Sequence, residues 1–196
     1  YKPGKLTIAT GQPAYEPWVM NDKPESGEGY EAAVAYAVAD KLGFKKSDVV
    51  WTRTAFDTAI APRPNDWDFN IQQIGITDER KKAEDYTTSS YDDIQTFNDD
   101  AALAQALDAG QIDALVTSTV ECVYMVQSEQ VKDAKVLGRL PDSEDKSGMG
   151  IVLPKDSKLT AAVTKAVDDL NADGTIKKLQ DKWLAEYTTD LTELKK

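Results

Sequence analysis

Histidine is absent from this chain, and cysteine occurs once, as Cys122. Without histidine the usual zinc sites and the Ser-His and Cys-His nucleophile pairs are excluded, and one thiol allows no intrachain disulfide. No apolar run approaches the roughly 20 residues that a membrane-spanning helix needs. Lysine and arginine number 23 against 34 acidic residues, for a formal charge of −11, and no cluster of them rises above this acidic background. Nucleic acid and anionic membrane surfaces are therefore poor partners. Internal repeats and low-complexity tracts are missing as well. No signal peptide opens the chain, but a mature secreted chain has already lost its own, so compartment cannot be read from targeting. What is present is 196 residues with 41% apolar content, enough for real cores and intermediate between one large domain and two small ones.

Taken in order, Lys5 to Thr10 alternates and reads as a first strand. It leads into Pro13-Ala14-Tyr15-Glu16-Pro17-Trp18, a loop whose aromatics either offer flat faces to a ligand or close the end of a sheet. Tyr30 to Phe44 reads as a helix with Ala33, Tyr36 and Ala37 on a small-residue face, stopped by Gly43, and Val49-Val50-Trp51 as the next strand. Strand, crossover helix and strand predict a right-handed βαβ unit with a parallel sheet. Phe56 to Ile60 is a short helix, and Trp67 to Ile71 another strand.

That strand runs into Gln73-Ile74-Gly75-Ile76-Thr77-Asp78-Glu79-Arg80, followed by a helix to Asp85. The Thr77 hydroxyl is placed to cap this helix, and Arg80 stands three residues on, a fork of donors beside free backbone N–H groups. Such a turn suits a carboxylate. Read without a ligand, Thr77 is an ordinary cap, Arg80 is solvated, and Asp78 and Glu79 suit the helix dipole. In an open parallel sheet, ligands collect beyond the carboxyl ends of the strands, where the loops at Tyr15, Phe56 and Thr77 converge.

A smaller second α/β unit follows. Asp92 to Phe97 is a short extended piece, Asn98-Asp99-Asp100 caps a helix over Ala101 to Ala109, and Ile112 to Val116 is a strand. Val120 to Ser128 is a helix and Lys135 to Leu140 a further strand. Met149 to Leu153, an apolar strand stopped by Pro154, then precedes two amphipathic helices, Leu159 to Leu170 and Thr175 to Tyr187, which return to cover the first unit. The first of them turns Leu159, Val163, Ala166, Val167 and Leu170 inward.

The order of these motifs resembles the polar amino-acid family of extracytoplasmic solute-binding proteins of ABC importers. The likeness is carried by Pro13 to Trp18, Gly29-Tyr30-Glu31-Ala32-Ala33, Ile76-Thr77-Asp78-Glu79-Arg80, Asn98 to Asp100 through Gly110-Gln111-Ile112-Asp113-Ala114, and Asp173-Gly174-Thr175 through Lys182-Trp183. It runs over nearly the whole chain. The resemblance implies an α/β fold of the two-lobed periplasmic-binding-protein kind, a clamshell with two hinge strands near Asp92 to Gln95 and Gly148 to Val152. Residues 1–94 with 150–196 form lobe one and 95–149 form lobe two. It also implies that Arg80 pairs with a ligand carboxylate, helped by Thr77 and the Gly75 backbone, that Tyr15 and Trp18 shield the ligand side chain, and that Phe56 faces the cleft.

Two departures stand out. Where the family has an acidic residue for the ligand ammonium, this chain has Thr117-Ser118-Thr119, with Ser118 the candidate at that place; a neutral hydroxyl does not offset a buried ammonium, so either Glu121 replaces the acid from the next turn or the ligand is not a standard α-amino acid. Between Gln95 and Thr96 the family carries some tens of residues that build the first strand and helix of lobe two, so lobe two is expected to be truncated. The implied protein binds an amino acid or related zwitterion and hands it to an ABC permease. It is not an enzyme, needs no cofactor or metal, is a monomer, and works outside the cytoplasm, in the periplasm or lipid-anchored at the outer face. The alternatives are a cyclohexadienyl-dehydratase-like enzyme on the same fold, with Glu121 as general acid, and a sensory ligand-binding module. The polar C-terminus at Lys196 speaks against the sensory module.

Overall fold

The computed structural model describes residues 1–60, 65–74, 100–138, 149–154, 156–187 and 191–193. The chain divides into two compact units, Tyr1–Thr77 with Ser147–Leu184, and Asp78–Lys146 with Ala185–Lys196.

The first unit is built on a parallel sheet. Its strands are β1 (Leu6–Thr10), β2 (Val49–Arg53) and β3 (Phe69–Asn70), in the order β2-β1-β3. The register pairs Leu6 with Val49 and Thr10 with Arg53 on one side, and Ile8 with Phe69 on the other. Every residue of β1 is buried, as expected of a central strand covered on both faces. Asn70 and Val152 exchange backbone hydrogen bonds of 2.7 and 2.9 Å in an isolated antiparallel bridge, and the Gly150 N–H donates to the Ile74 carbonyl at 2.8 Å. The apolar stretch after Met149 thus lies along the chain leaving β3. It makes only bridges, not the full strand expected from its sequence.

Helix α1 (Tyr30–Lys41) links β1 to β2, and α2 (Phe56–Ile60) follows β2. The start of α1 is capped by main chain. The N–H groups of Tyr30, Glu31 and Ala32 donate to the carbonyls of Pro17 and Trp18 at 2.9 to 3.3 Å. This close approach requires Gly29, at φ 101°, because a Cβ there would lie 2.5 Å from the Trp18 carbonyl oxygen. At the other end Gly43, at φ 86°, closes a Schellman motif, with Phe44 N–H on Ala39 O and Gly43 N–H on Asp40 O, both 2.9 Å.

The inward face of α1 consists of Ala32, Val34, Ala35, Val38 and Ala39, with Glu31 buried beside them. Ala33, Tyr36 and Ala37 are only half-buried, a correction to the expected face. In so alanine-rich a helix the apolar pattern does not fix the rotation. The docking of its first turn on Pro17 and Trp18 does. The core joins Leu6, Ile8, Val38, Phe69 and Ile71 to Val163, Ala166 and Leu170 of α5 (Thr160–Ala172). With α6 (Thr175–Trp183), α5 packs on α1, as the amphipathic pattern predicted.

The second unit contains α3 (Asp100–Asp108) and α4 (Thr119–Gln127) around a small core of Ala104, Met125 and Val131. A single 3-10 turn, Ala185–Tyr187, belongs to it, with Tyr187 lying against Tyr124 at a ring separation of 6.1 Å. The expected strands at Ile112 to Val116 and Lys135 to Leu140 do not form among the described residues. Residues 112–118 and 134–138 lie in no ladder, and Val116 and Leu137 are 72% and 63% exposed. A strand is stabilised by its neighbour's hydrogen bonds and cross-strand side chains, and sequence alternation supplies neither. A hollow of about 540 Å³ opens here, lined by Leu107, Leu115, Met125, Val131, Val136 and Leu191.

Candidate functional site

Because β1, β2 and β3 are parallel, their carboxyl ends lie along one edge of the first unit. Each is followed by residues singled out from the sequence: Tyr15 after β1, Phe56 after β2, and Gln73-Ile74 after β3. Tyr15 and Phe56 are half-buried. Gly75, Thr77 and Arg80, the core of the carboxylate reading, lie outside the described residues, as does the crossing at Asp92 to Gln95.

The loop after β1 is tied to β2 by Arg53. Its guanidinium donates to the Gly11 carbonyl at 2.9 Å and to the Asp22 carboxylate at 2.6 Å, and the same Asp22 oxygen accepts the Ala14 N–H at 2.8 Å. This arrangement fixes where Tyr15 stands. Trp18 is 1% exposed, edge-on to Tyr30 at 6.0 Å, and its carbonyl caps α1. The structure therefore places the Trp18 side chain in the packing of the first unit.

Sequence reasoning did not single out Glu31 by itself. It is 3% exposed, and its carboxylate accepts the Gln73 N–H at 2.6 Å and the Gln73 side-chain amide as well. Burial pushes its pKa up to about 7, against the lowering effect of the two Gln73 hydrogen bonds. Burial also raises the neighbouring Tyr30 phenol, with a smaller contribution from the Glu31 charge. The one available signal was an acid standing alone in Gly29-Tyr30-Glu31-Ala32-Ala33-Val34, inside an apolar turn.

In the second unit Ser118 is the N-cap of α4, its Oγ accepting the Glu121 N–H at 3.2 Å. The Thr117 hydroxyl donates to the Asp100 carboxylate at 2.9 Å. Glu121 is 5% exposed, a buried acid in the first turn of α4. Cys122 is half-buried, and burial holds its thiol above the ordinary range. No group of three or more Cys, Asp or Glu able to hold a metal ion occurs among the described residues.

Residues 6–186 match the family described as bacterial extracellular solute-binding proteins, family 3. The chain belongs to this family. Its relatives include the L-cystine-binding protein TcyJ of Escherichia coli K12, 23% identical over 222 residues that cover 89% of this chain and 81% of the relative. The L-arginine-binding protein of Pseudomonas aeruginosa is 22% identical over 243 residues, covering 94% and 88%. These relatives are binding proteins, not enzymes.

Solved structures show the same fold. A periplasmic His/Glu/Gln/Arg/opine family-binding protein from Silicibacter pomeroyi, in complex with lysine, superposes with a TM-score of 0.66 at 21% identity, covering 96% of this chain and 99% of that one. An ancestral arginine-binding protein bound to arginine gives 0.63 at 24%, covering 92% and 98%. The fold of this solute-binding protein is thus the periplasmic-binding-protein α/β fold. The alignment with TcyJ is longer than the 196 residues of the chain, so stretches of that relative face no residue here, consistent with a truncated second lobe.

Proposed function

We propose that this family-3 solute-binding protein binds a small carboxylate-bearing solute, an amino acid or related zwitterion, and delivers it to an ABC permease outside the cytoplasm. The family match over residues 6–186 carries this reading. The parallel sheet supports it, because all three of its strands empty toward one edge, and in the sequence Gly75 to Arg80 come shortly after β3. In this reading Arg80 takes the ligand carboxylate, with the Thr77 hydroxyl and Gly75 N–H beside it, and Tyr15 and Phe56 face the ligand's side chain. Ser118 and Glu121 are the second unit's candidates for the ligand ammonium. The relatives' ligands, cystine and arginine, define the class to try first. The protein acts as a monomer in the periplasm or lipid-anchored at the outer face of the membrane, and it carries out no reaction of its own.

Calorimetric titration with the standard L-amino acids and L-cystine tests the reading. One or more should bind, and Arg80→Ala should weaken binding about a hundredfold or more, since truncating one partner of a buried charge pair leaves the other unpaired. Silence across the whole panel refutes it.

One observation favours a second reading. Glu121 is an acid only 5% exposed, and a carboxyl group is what a general acid on this fold would have to supply. A neighbouring fold, the ancestral amino acid-binding protein AncCDT-1, is described as a precursor of cyclohexadienyl dehydratase (TM-score 0.65, 21% identity). Turnover of a prephenate-like cyclic acid that is abolished in Glu121→Gln would put this reading first.

A further inference from the structure

The loop that follows β1 leaves the sheet at Gly11 and comes back to its edge at Asp22, and one side chain of β2 holds both ends. Arg53, the last residue of β2, lies opposite Thr10, the last of β1. Its Nη1 donates to the Gly11 carbonyl at 2.9 Å and to the Asp22 carboxylate at 2.6 Å, and its Nη2 donates to the Asp22 carbonyl. The guanidinium thus closes a ring of chain from 11 to 22, using donors spread over a rigid plane that an ammonium cannot copy.

Inside that ring the main chain around Tyr15 is tied on both sides. The Asp22 oxygen that meets Arg53 also accepts the Ala14 N–H at 2.8 Å, the Glu16 carboxylate accepts the Asn21 N–H at 3.0 Å, and the Tyr15 carbonyl accepts the Val19 N–H at 2.8 Å. Asn21 and Asp22 both stand at φ 53°, a left-handed backbone that L-residues keep only where their surroundings impose it. Those surroundings are Arg53 on Asp22 and Glu16 on Asn21. The Thr54 N–H donates to the Thr10 carbonyl at 3.0 Å, so the chain beyond Arg53 stays beside β1 as it approaches Phe56.

We propose that Arg53 is the positioning residue of the Tyr15 loop: by stapling Gly11 and Asp22 to the end of β2 it holds Tyr15 ready for the ligand's side chain, beside the strand that leads into Phe56. The inference rests on the role given to Tyr15 above, and it assigns Arg53 no contact with the ligand. A loop without the staple has to be ordered when the ligand arrives, and that cost is subtracted from affinity. The effect of Arg53 on binding therefore passes through Tyr15. Asp22 serves as an acceptor in this arrangement, and asparagine offers the same Oδ1 and takes a left-handed φ readily.

The experiment is a double-mutant cycle of Arg53→Ala and Tyr15→Ala, with Asp22→Asn and Asp22→Ala beside it, read by calorimetric titration with the standard L-amino acids and L-cystine. Circular dichroism verifies that each variant is folded. Arg53→Ala is expected to bind about tenfold more weakly than wild type, the scale of lost hydrogen bonds from a charged group. In the Tyr15→Ala background the same change should alter affinity by no more than about twofold, because the side chain it positions is gone. A merely structural role would give equal losses in both backgrounds, and that result overturns the inference, as does unchanged affinity in Arg53→Ala. Asp22→Asn is expected to bind as wild type and Asp22→Ala as weakly as Arg53→Ala. An Asp22→Asn loss as large as that of Arg53→Ala means that charge and not the hold on the loop matters, and overturns it too. Should Arg53→Ala not fold, Asp22→Ala, at a half-exposed position, takes its place in the cycle. Absence of binding by wild type to every amino acid overturns the functional reading and this inference together. Binding that Tyr15→Ala weakens and Arg53→Ala leaves intact overturns this inference alone.

Discussion

Glu31→Gln has a consequence for stability that does not involve a ligand. In the folded chain the Glu31 carboxyl is buried and its pKa stands at about 7, against 4.5 for an ordinary glutamate. The folded state thus binds this proton more tightly than the unfolded state. The contribution is fully present below pH 4.5 and is lost as pH rises through about 7, because the folded protein must then hold a charge that the unfolded chain leaves in water. Each pKa unit is worth about 1.4 kcal/mol, so the shift amounts to about 3 kcal/mol between pH 4.5 and pH 8.

The assay is urea denaturation at pH 5 and pH 8, followed by tryptophan emission. All four tryptophans, Trp18, Trp51, Trp67 and Trp183, belong to the first unit, so the signal reports the unit that contains Glu31. The stability of wild type relative to Glu31→Gln should fall by about 2.5 kcal/mol from pH 5 to pH 8, since the carboxamide has no proton to lose. A difference between the two proteins that stays constant with pH refutes the reasoning. It would mean that Glu31 is as well solvated in the folded chain as in the unfolded one.

Gly29→Ala should destabilise the first unit by about 2 to 4 kcal/mol, seen as a lower urea midpoint, because φ 101° is strained for alanine and the new methyl meets the Trp18 carbonyl at 2.5 Å. Ser118→Ala removes the cap of α4 and should cost about 1 kcal/mol. The same variant separates two roles: a Ser118 that only caps leaves amino-acid affinity unchanged, and one that also meets the ligand ammonium lowers it.

Much of the first unit was legible because its signals are local. Alternation marked β1, and Gly43 stopped α1 through main-chain bonds to Ala39 and Asp40. The stripe Val163, Ala166 and Leu170 gave the inner face of α5. The rotation of α1 was not legible, because alanine on several sides leaves the pattern without a preferred face and a distant pair of carbonyls makes the choice. The second unit shows the same limit. Ile112 to Val116 has the composition of a strand, yet among the described residues no ladder forms on it, since pairing depends on what lies beside it.

The sequence by itself determined the family and, in the first unit, the order of the sheet strands and helices. Those rest on short motifs such as Ile76-Thr77-Asp78-Glu79-Arg80 and on hydrophobic period, which a chain carries whether or not it is folded. It also narrowed the chemistry, since a chain without histidine and with one cysteine has few nucleophiles and metal ligands to offer. Only the tertiary structure decided that Trp18 is packed inside, that Glu121 is buried, and that Glu31 reaches Gln73 across 42 positions. Burial and long-range hydrogen bonds are properties of neighbours, and neighbours far apart in sequence are chosen by folding.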